Sequence, residues 1–209
     1  LGDRIKNAIG QFNQDGICQQ SLTVSTPQPA TPEAVVAAMV DAIAQVEDGQ
    51  TLAIGVGTPG PADACGRIAQ VAINLVGWHN VPLADYLEGK TDKPTILAND
   101  ANCAGLGEAW LGAGRRFANL ILLTLRTGVG GAIILDRKLF VGHQGAFFLP
   151  SVQAEIEQRV LPTSRVGLQI LPAQLGNSAG MVGAAKLALS KFGLRENRSI
   201  SPLLPPQVP

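Results

Sequence analysis

Two rhythms of apolar and polar positions run along this chain, one short and one helical. From Gly10 to Val24 the pattern predicts two short strands around Asn13-Gln14-Asp15-Gly16, where the Asp-Gly pair is a strong hairpin signal. A loop carrying Pro27, Pro29 and Pro32 follows. Thr31 then suits an N-cap, Pro32 the first helical position, and apolar residues recur at helical spacing to about Val46. Thr51 to Val56 reads as a buried strand that runs into Gly57-Thr58-Pro59-Gly60-Pro61. Pro82 to Leu87 reads as a short helical turn, Thr95 to Ala98 as a strand, and Ala101 to about Leu111 as a helix stopped by Gly112 and Gly114. Asn119 to Leu125 and Gly130 to Leu135 predict two strands around a glycine-rich turn, with Asp136-Arg137 turning into Leu139 to Val141.

Beyond Gly145 the texture changes. Phe147-Phe148-Leu149-Pro150 is bulky and abrupt, Ser151 suits the cap of a helix to about Val160, and Val166 to Leu171 predicts one more strand. Leu175-Gly176-Asn177 leads into a small-residue helix from Ala179 to Phe192, and the tail is polar, then proline-rich, and expected to be disordered. No internal repeat is visible. Strands alternating with helices imply an α/β class with ligand loops at strand ends.

Composition narrows the function. In 209 residues, 46% hydrophobic and 15% charged, the chain can bury a proper core, and with 4% aromatics that core must be aliphatic. Sixteen basic against sixteen acidic residues argue against a nucleic-acid partner. No apolar run reaches the length of a membrane span and no signal peptide opens the sequence, so the expected compartment is the cytoplasm. Cys18, Cys65 and Cys103 are far apart and unpaired in spacing, which suggests buried reduced thiols rather than a disulfide or zinc framework.

The candidate chemistry centres on Ile96-Leu97-Ala98-Asn99-Asp100-Ala101-Asn102, an apolar run ending abruptly in polar residues just before a helix. A carboxylate there sits where open α/β sheets place ligands, and Asp100 could accept a proton from a bound hydroxyl beside Asn99. The alternative is that Asp100 simply caps the helix. Gly55-x-Gly57-x-x-Gly60 formally matches a dinucleotide fingerprint, but Pro59 and Pro61 prevent the helix that must open there. Thr127-Gly128-Val129-Gly130-Gly131 could converge backbone N–H groups on a phosphate, or be a hairpin turn without a ligand. Arg126 at its mouth could clamp a phosphate or distort the turn. His79 and His143 read as surface or loop residues and Trp78 as a packing residue.

Taken in order, these segments resemble the ROK group of bacterial sugar kinases and repressors, which share the actin-like, ribonuclease-H-like ATPase fold with two lobes. Gly55 to Pro61 resembles the loop that closes under the sugar, Asn74-Leu75-Val76-Gly77-Trp78 the segment beside it, and Asn99-Asp100-Ala101-Asn102 the catalytic segment. Thr127 to Gly131 resembles the second phosphate turn, and Leu175-Gly176-Asn177-Ser178-Ala179-Gly180 with Gly183-Ala184-Ala185 the nucleotide-side helix. The family's opening Asp-x-Gly-Gly-Thr hairpin is altered to Leu1-Gly2-Asp3-Arg4, and Arg126 replaces a glycine. After Gly142-His143-Gln144-Gly145-Ala146 the family's Gly-Glu-x-Gly-His segment and zinc-binding cysteines do not follow, which reads as an internal deletion truncating the second lobe.

The resemblance implies a glucokinase-like enzyme with Asp100 as catalytic base. Gly57, Pro59, Gly60, Asn74 and Asn99 would bind the sugar, and Gly2, Thr127, Gly128, Gly130 and Gly176 the nucleotide and phosphates. It implies ATP with Mg2+, no structural zinc, a small-molecule sugar and nucleotide as partners, and leaves a homodimer open. It divides the chain into a sugar-binding lobe at 1–118, a truncated nucleotide-side lobe at 119–192 and a proline-rich tail at 193–209. A catalytically inactive remnant that binds sugar weakly or serves as a scaffold is the alternative. A repressor is a third reading, against which stands the lack of a helix-turn-helix ahead of the sugar-side segments.

Overall fold

The computed structural model describes residues 6–72, 75–125, 129–140, 163 and 166–194. The helix expected from Ser151 to Val160, the proline-rich tail, Leu1-Gly2-Asp3-Arg4, Asn74, Arg126, Thr127, Gly128 and His143 lie outside the described residues.

The chain opens with the expected hairpin, β1 (Lys6–Phe12) paired antiparallel with β2 (Cys18–Ser25). Its turn is built by Asn13, whose Oδ1 accepts the N–H groups of Asp15 (3.0 Å) and Ile17 (2.9 Å), and by Gly16 at φ 79°. Helix α1 (Pro32–Val46) starts where the sequence predicts, with Thr31 Oγ1 accepting the Ala34 N–H at 3.4 Å and Pro32 in the first turn. Strand β3 (Ile54–Thr58) begins later and ends later than the apolar run suggests. Two three-residue strands, β4 (Ala69–Val71) and β5 (His79–Val81), form an antiparallel pair too short to leave a sequence pattern. Helix α2 (Leu83–Thr91) outruns the expected turn and ends at Asp92, which takes the left-handed conformation at φ 54°. Strand β6 (Thr95–Asn99) runs directly into α3 (Asp100–Trp110). The antiparallel sheet β7 (Leu120–Leu125), β8 (Val129–Leu135) and β9 (Lys138–Leu139) follows, and α4 (Ala179–Lys191) comes after a 3₁₀ turn at Gly176–Ser178.

Parallel pairing of β3 with β6, in register from Ile54 opposite Thr95 to Thr58 opposite Asn99, makes the centre of the fold. Alternate residues of a strand face opposite ways, so the pair serves two cores. Val56 and Leu97 join α1, α2 and Trp78 in one core, and Ala98 packs with Cys103 of α3 and Ala184 of α4 in another. The far side of α3 closes on the three-stranded sheet through Leu106, Ala109 and Ile134. Trp78 is buried in packing, as expected, and its Nε1–H donates to Ala30 O at 2.9 Å. None of the described helices is long and apolar enough to cross a membrane.

Two expectations are corrected. Val166 to Leu171 forms no strand: the segment has no ladder partner among the described residues, and Val166, Leu168 and Leu171 are exposed, Val166 at 85%, so these side chains meet water rather than a sheet face. Cys18 and Cys65 are exposed, and of the three thiols only Cys103 is buried. The first two lie on a hairpin strand and in a surface turn.

An ion-pair fork fastens α2 to the start of β6. Arg67 Nη1 and Nη2 donate to Glu88 Oε1 and Oε2 at 2.7 and 2.6 Å, Nη2 also donates to Asp85, and Glu88 Oε1 accepts the Thr95 N–H at 2.8 Å. The Arg67 hydrogen bonds hold the Glu88 carboxyl down from the usual 4.5 to about 2, with the Thr95 N–H and the guanidinium charge adding and burial opposing. A folded pKa below the unfolded one means that this stabilisation is complete above about pH 5 and is lost as pH falls toward about 2. Both side chains are about one-third exposed, so solvent screening limits the effect. Glu88→Gln is expected to cost about 1 kcal/mol at neutral pH, with the gap to the parent protein closing near pH 2, as read from urea unfolding at each pH.

Candidate active site

The ends of β3 and β6 lie side by side because the two strands are parallel and in register, and both chains turn there. The loop after β3 is shaped by Gly60 at φ 114°, where an added Cβ would stand 2.0 Å from Val71 O. Only glycine fits that backbone. Buried Thr58 aims its Oγ1 at two carbonyls, Gly60 O at 3.1 Å and Ala98 O at 3.3 Å. From the neighbouring strand, Asn99 Nδ2 donates to the same Gly60 O at 3.2 Å. The loop is therefore laced to the strand that carries Asn99 and Asp100.

Asn99 also caps α3, its Oδ1 accepting the Ala101 N–H at 3.0 Å. The capping role open to Asp100 in the sequence thus falls to the residue before it. Asp100 is the first helical residue, is exposed, and accepts the Ala101 N–H at 2.8 Å through Oδ1. Gly57 lies alongside: a Cβ at Gly57 would be 3.6 Å from Asp100 Cα and 3.5 Å from Cys103 Sγ. Beneath them, burial pushes the Cys103 thiol up to about 12, the Asp100 charge adding to the effect, so Cys103 packs as a neutral group. Asn102 has a buried Oδ1 with no partner among the described residues.

The start of β8 reaches the same helix end. A Cβ at Gly130 would meet Ala101 Cβ at 3.0 Å, and one turn further a Cβ at Gly105 would meet Ala132 Cβ at 2.4 Å. The structure thus brings Gly57, Gly60, Asn99, Asp100 and Gly130 to one place, with exposed Pro59 in the same loop. Gly176 is placed elsewhere. Helix α4 runs antiparallel to α3, with Gly107 against Ala179 O and Gly183 against Cys103 O, so the 3₁₀ turn lies by the C-terminal half of α3. That is two turns, about 12 Å, along the helix from Asp100. Gly176 has a φ of 52° and open space where its Cβ would be.

One residue at this end escapes sequence reasoning. Glu108 is 2% exposed, and its carboxylate accepts three backbone N–H groups: Ala113 at 2.8 Å, Gln174 at 3.1 Å and Leu175 at 2.6 Å. The available signal is that, after Asp100, it is the one charged residue in an otherwise small and apolar helix.

Among the described residues no three His, Cys, Asp or Glu side chains gather as a metal cage. A single exposed carboxylate at a glycine-flanked helix end fits Mg2+ carried in on nucleotide phosphates, which keeps most of its ligands from water and phosphate.

A family model described as the ROK family matches residues 2–148, ending where the sequence breaks from the family pattern. The glucokinase of Thermotoga maritima is 37% identical over 139 residues, covering 66% of this chain and 44% of that protein. Among solved structures, a ROK glucokinase from Streptomyces griseus in complex with glucose and AMPPNP superposes with a TM-score of 0.61 at 35% identity, over 70% of this chain and 46% of that one. An inorganic polyphosphate/ATP-glucomannokinase from Arthrobacter superposes with a TM-score of 0.66 at 27% identity, over 90% of this chain and 95% of that one. The chain spans about half the length of the curated relatives it matches, 44% for the Thermotoga protein. These likenesses identify the layered α/β arrangement as the actin-like, ribonuclease-H-like ATPase fold expected from the sequence.

Proposed function

We propose that this chain, which belongs to the ROK family, is an ATP-dependent hexose kinase of glucokinase type with Asp100 as its general base. The observation that carries this reading is the exposed Asp100 carboxylate at the joint end of β3 and β6, with the Gly57–Gly60 loop laced to its strand and Gly130 against its helix. Residues 1–118 form the sugar side in this reading and 119–192 the nucleotide side. Gly57, Pro59, Gly60, Asn74 and Asn99 line the sugar, and Gly2, Thr127, Gly128, Gly130 and Gly176 serve the nucleotide. Asn99 has one amide hydrogen left for a hydroxyl after its bond to Gly60 O.

A hexose hydroxyl held beside Asp100 attacks the γ-phosphorus of ATP. The new O–P bond forms as the bond from phosphorus to the β,γ-bridging oxygen breaks, ADP leaves, and the hydroxyl proton passes to Asp100. Mg2+, when bound, neutralises charge on the phosphate oxygens. The Thr58–Gly60–Asn99 bonds hold the sugar loop in place before the reaction, so no ordering is needed at that moment.

A second reading has its own support. The family match stops at residue 148, and the Gly-Glu-x-Gly-His segment that would grip the sugar is not in the sequence. A site without that carboxylate would lose about 2–4 kcal/mol of polar recognition, leaving a weak sugar binder. Calorimetry with glucose and a coupled assay with glucose and MgATP separate the two. Turnover supports the kinase. Weak glucose binding without turnover supports the remnant, and no binding of either ligand overturns both.

A further inference from the structure

We infer that Glu108 is a positioning residue for the nucleotide side of the site, setting the Gly176 turn at a fixed distance from Asp100; this rests on the kinase reading above. Both residues stand on α3, one at its first position and one two turns on. Glu108 is buried, and each of its carboxylate oxygens is used: Oε1 takes the Leu175 N–H, and Oε2 takes those of Gln174 and Ala113. Two of these donors come from 66 and 67 residues away. They are the last two amides before the turn at Gly176–Ser178, which is closed by Ser178 N–H to Leu175 O at 3.0 Å. One carboxylate thus ties the entry of that turn to the helix bearing the base.

The surroundings are cut to fit this group. A Cβ at Gly112 would stand 2.0 Å from Glu108 Oε2, so a side chain there would expel the carboxylate. Upstream, Val166, Leu168 and Leu171 are exposed and outside the strands of the described residues, and Gln174 Oε1 accepts a hydrogen bond from exposed Arg115 at 3.2 Å. Downstream, the turn runs straight into α4, whose first residue, Ala179, packs on α3 at Gly107, so α4 holds the far end of the turn and Glu108 holds its entry. A buried carboxylate receiving three N–H groups is among the stronger anchors a backbone segment can have.

Glu108→Gln keeps the volume and one accepting oxygen but turns an amide donor toward N–H groups that need an acceptor. The expected result is a rise of about tenfold in KM for MgATP, matched in AMPPNP affinity by calorimetry, with kcat and glucose affinity little changed. Exchange of the Gln174 and Leu175 amides with solvent deuterium should quicken in the same variant. Unchanged nucleotide affinity and unchanged exchange would overturn the inference. Equal loss of glucose and nucleotide affinity with a lower Tm would overturn it as well, by showing a merely structural role. Should the parent chain bind no nucleotide, the kinase reading is what has failed. The nucleotide-side role then falls with it, and quickened exchange would show only that Glu108 anchors the segment ahead of the turn.

Discussion

Asp100→Asn is expected to lower kcat for hexose phosphorylation by about 10²- to 10⁴-fold, the usual contribution of a positioned general base. The substitution is close to isosteric. Its side-chain oxygen can still accept the Ala101 N–H that Asp100 accepts at 2.8 Å, so the start of α3 keeps its geometry. The amide can still accept a hydrogen bond from a sugar hydroxyl but cannot take its proton, so KM for the hexose should change little while kcat falls. Loss of the charge at the helix N-terminus costs stability only about 0.3–1 kcal/mol, because the residue is exposed and Asn99 supplies the cap. A coupled steady-state assay on both proteins, with thermal unfolding alongside, reads all three quantities. Equal turnover in the two proteins would remove Asp100 from the chemistry. A large fall in stability would mean that its role is to hold the helix.

Gly183→Ala is expected to destabilise the protein by about 3 kcal/mol or more, at the upper end for overpacking. The added Cβ would lie 1.5 Å from Cys103 O, 2.4 Å from Cys103 C and 2.9 Å from Gly107 N. All three are backbone atoms of α3, so no side-chain rotation relieves the clash and the two helices must part. Parting them reaches the site, because the next residue of α4 supports β3: a Cβ at Gly55 would stand 1.8 Å from Ala184 O. Gly180→Ala is the internal control. It lies in the same helix with nothing within 4 Å of its added Cβ, and better helix propensity should make it about 0.4–1 kcal/mol more stable. Urea unfolding of both variants checks the pair. If Gly183→Ala were tolerated as well as Gly180→Ala, α4 could not sit on α3 as described.

Much of the site was legible because its parts are local. The change from apolar to polar at Ala98-Asn99-Asp100 marks a strand end and a helix start whatever surrounds it, and the helix begins at Asp100 itself. Thr31-Pro32 and Asn13 to Gly16 work the same way, since a cap or a turn is made by residues within four positions of one another. The glycines at 57, 60 and 130 stood out in the sequence, but what each is needed against did not: Gly60 faces Val71 O, Gly57 lies by Asp100 Cα, and Gly130 by Ala101.

Apart from β4 and β5, which leave no sequence pattern, the elements found from β1 to β9 and α4 follow from short-range chemistry, as does the placing of a carboxylate at a strand end. Tertiary packing alone decided that Asn99 rather than Asp100 is the cap, since the Gly60 carbonyl that holds the other end of its amide comes from a loop 39 residues away. It also left 166–171 without a strand partner among the described residues, exposed Cys18 and Cys65, and turned Glu108 inward to amides 66 and 67 residues distant. Each of those outcomes depends on which distant backbone arrives to cover a group, and no window of neighbouring residues carries that information.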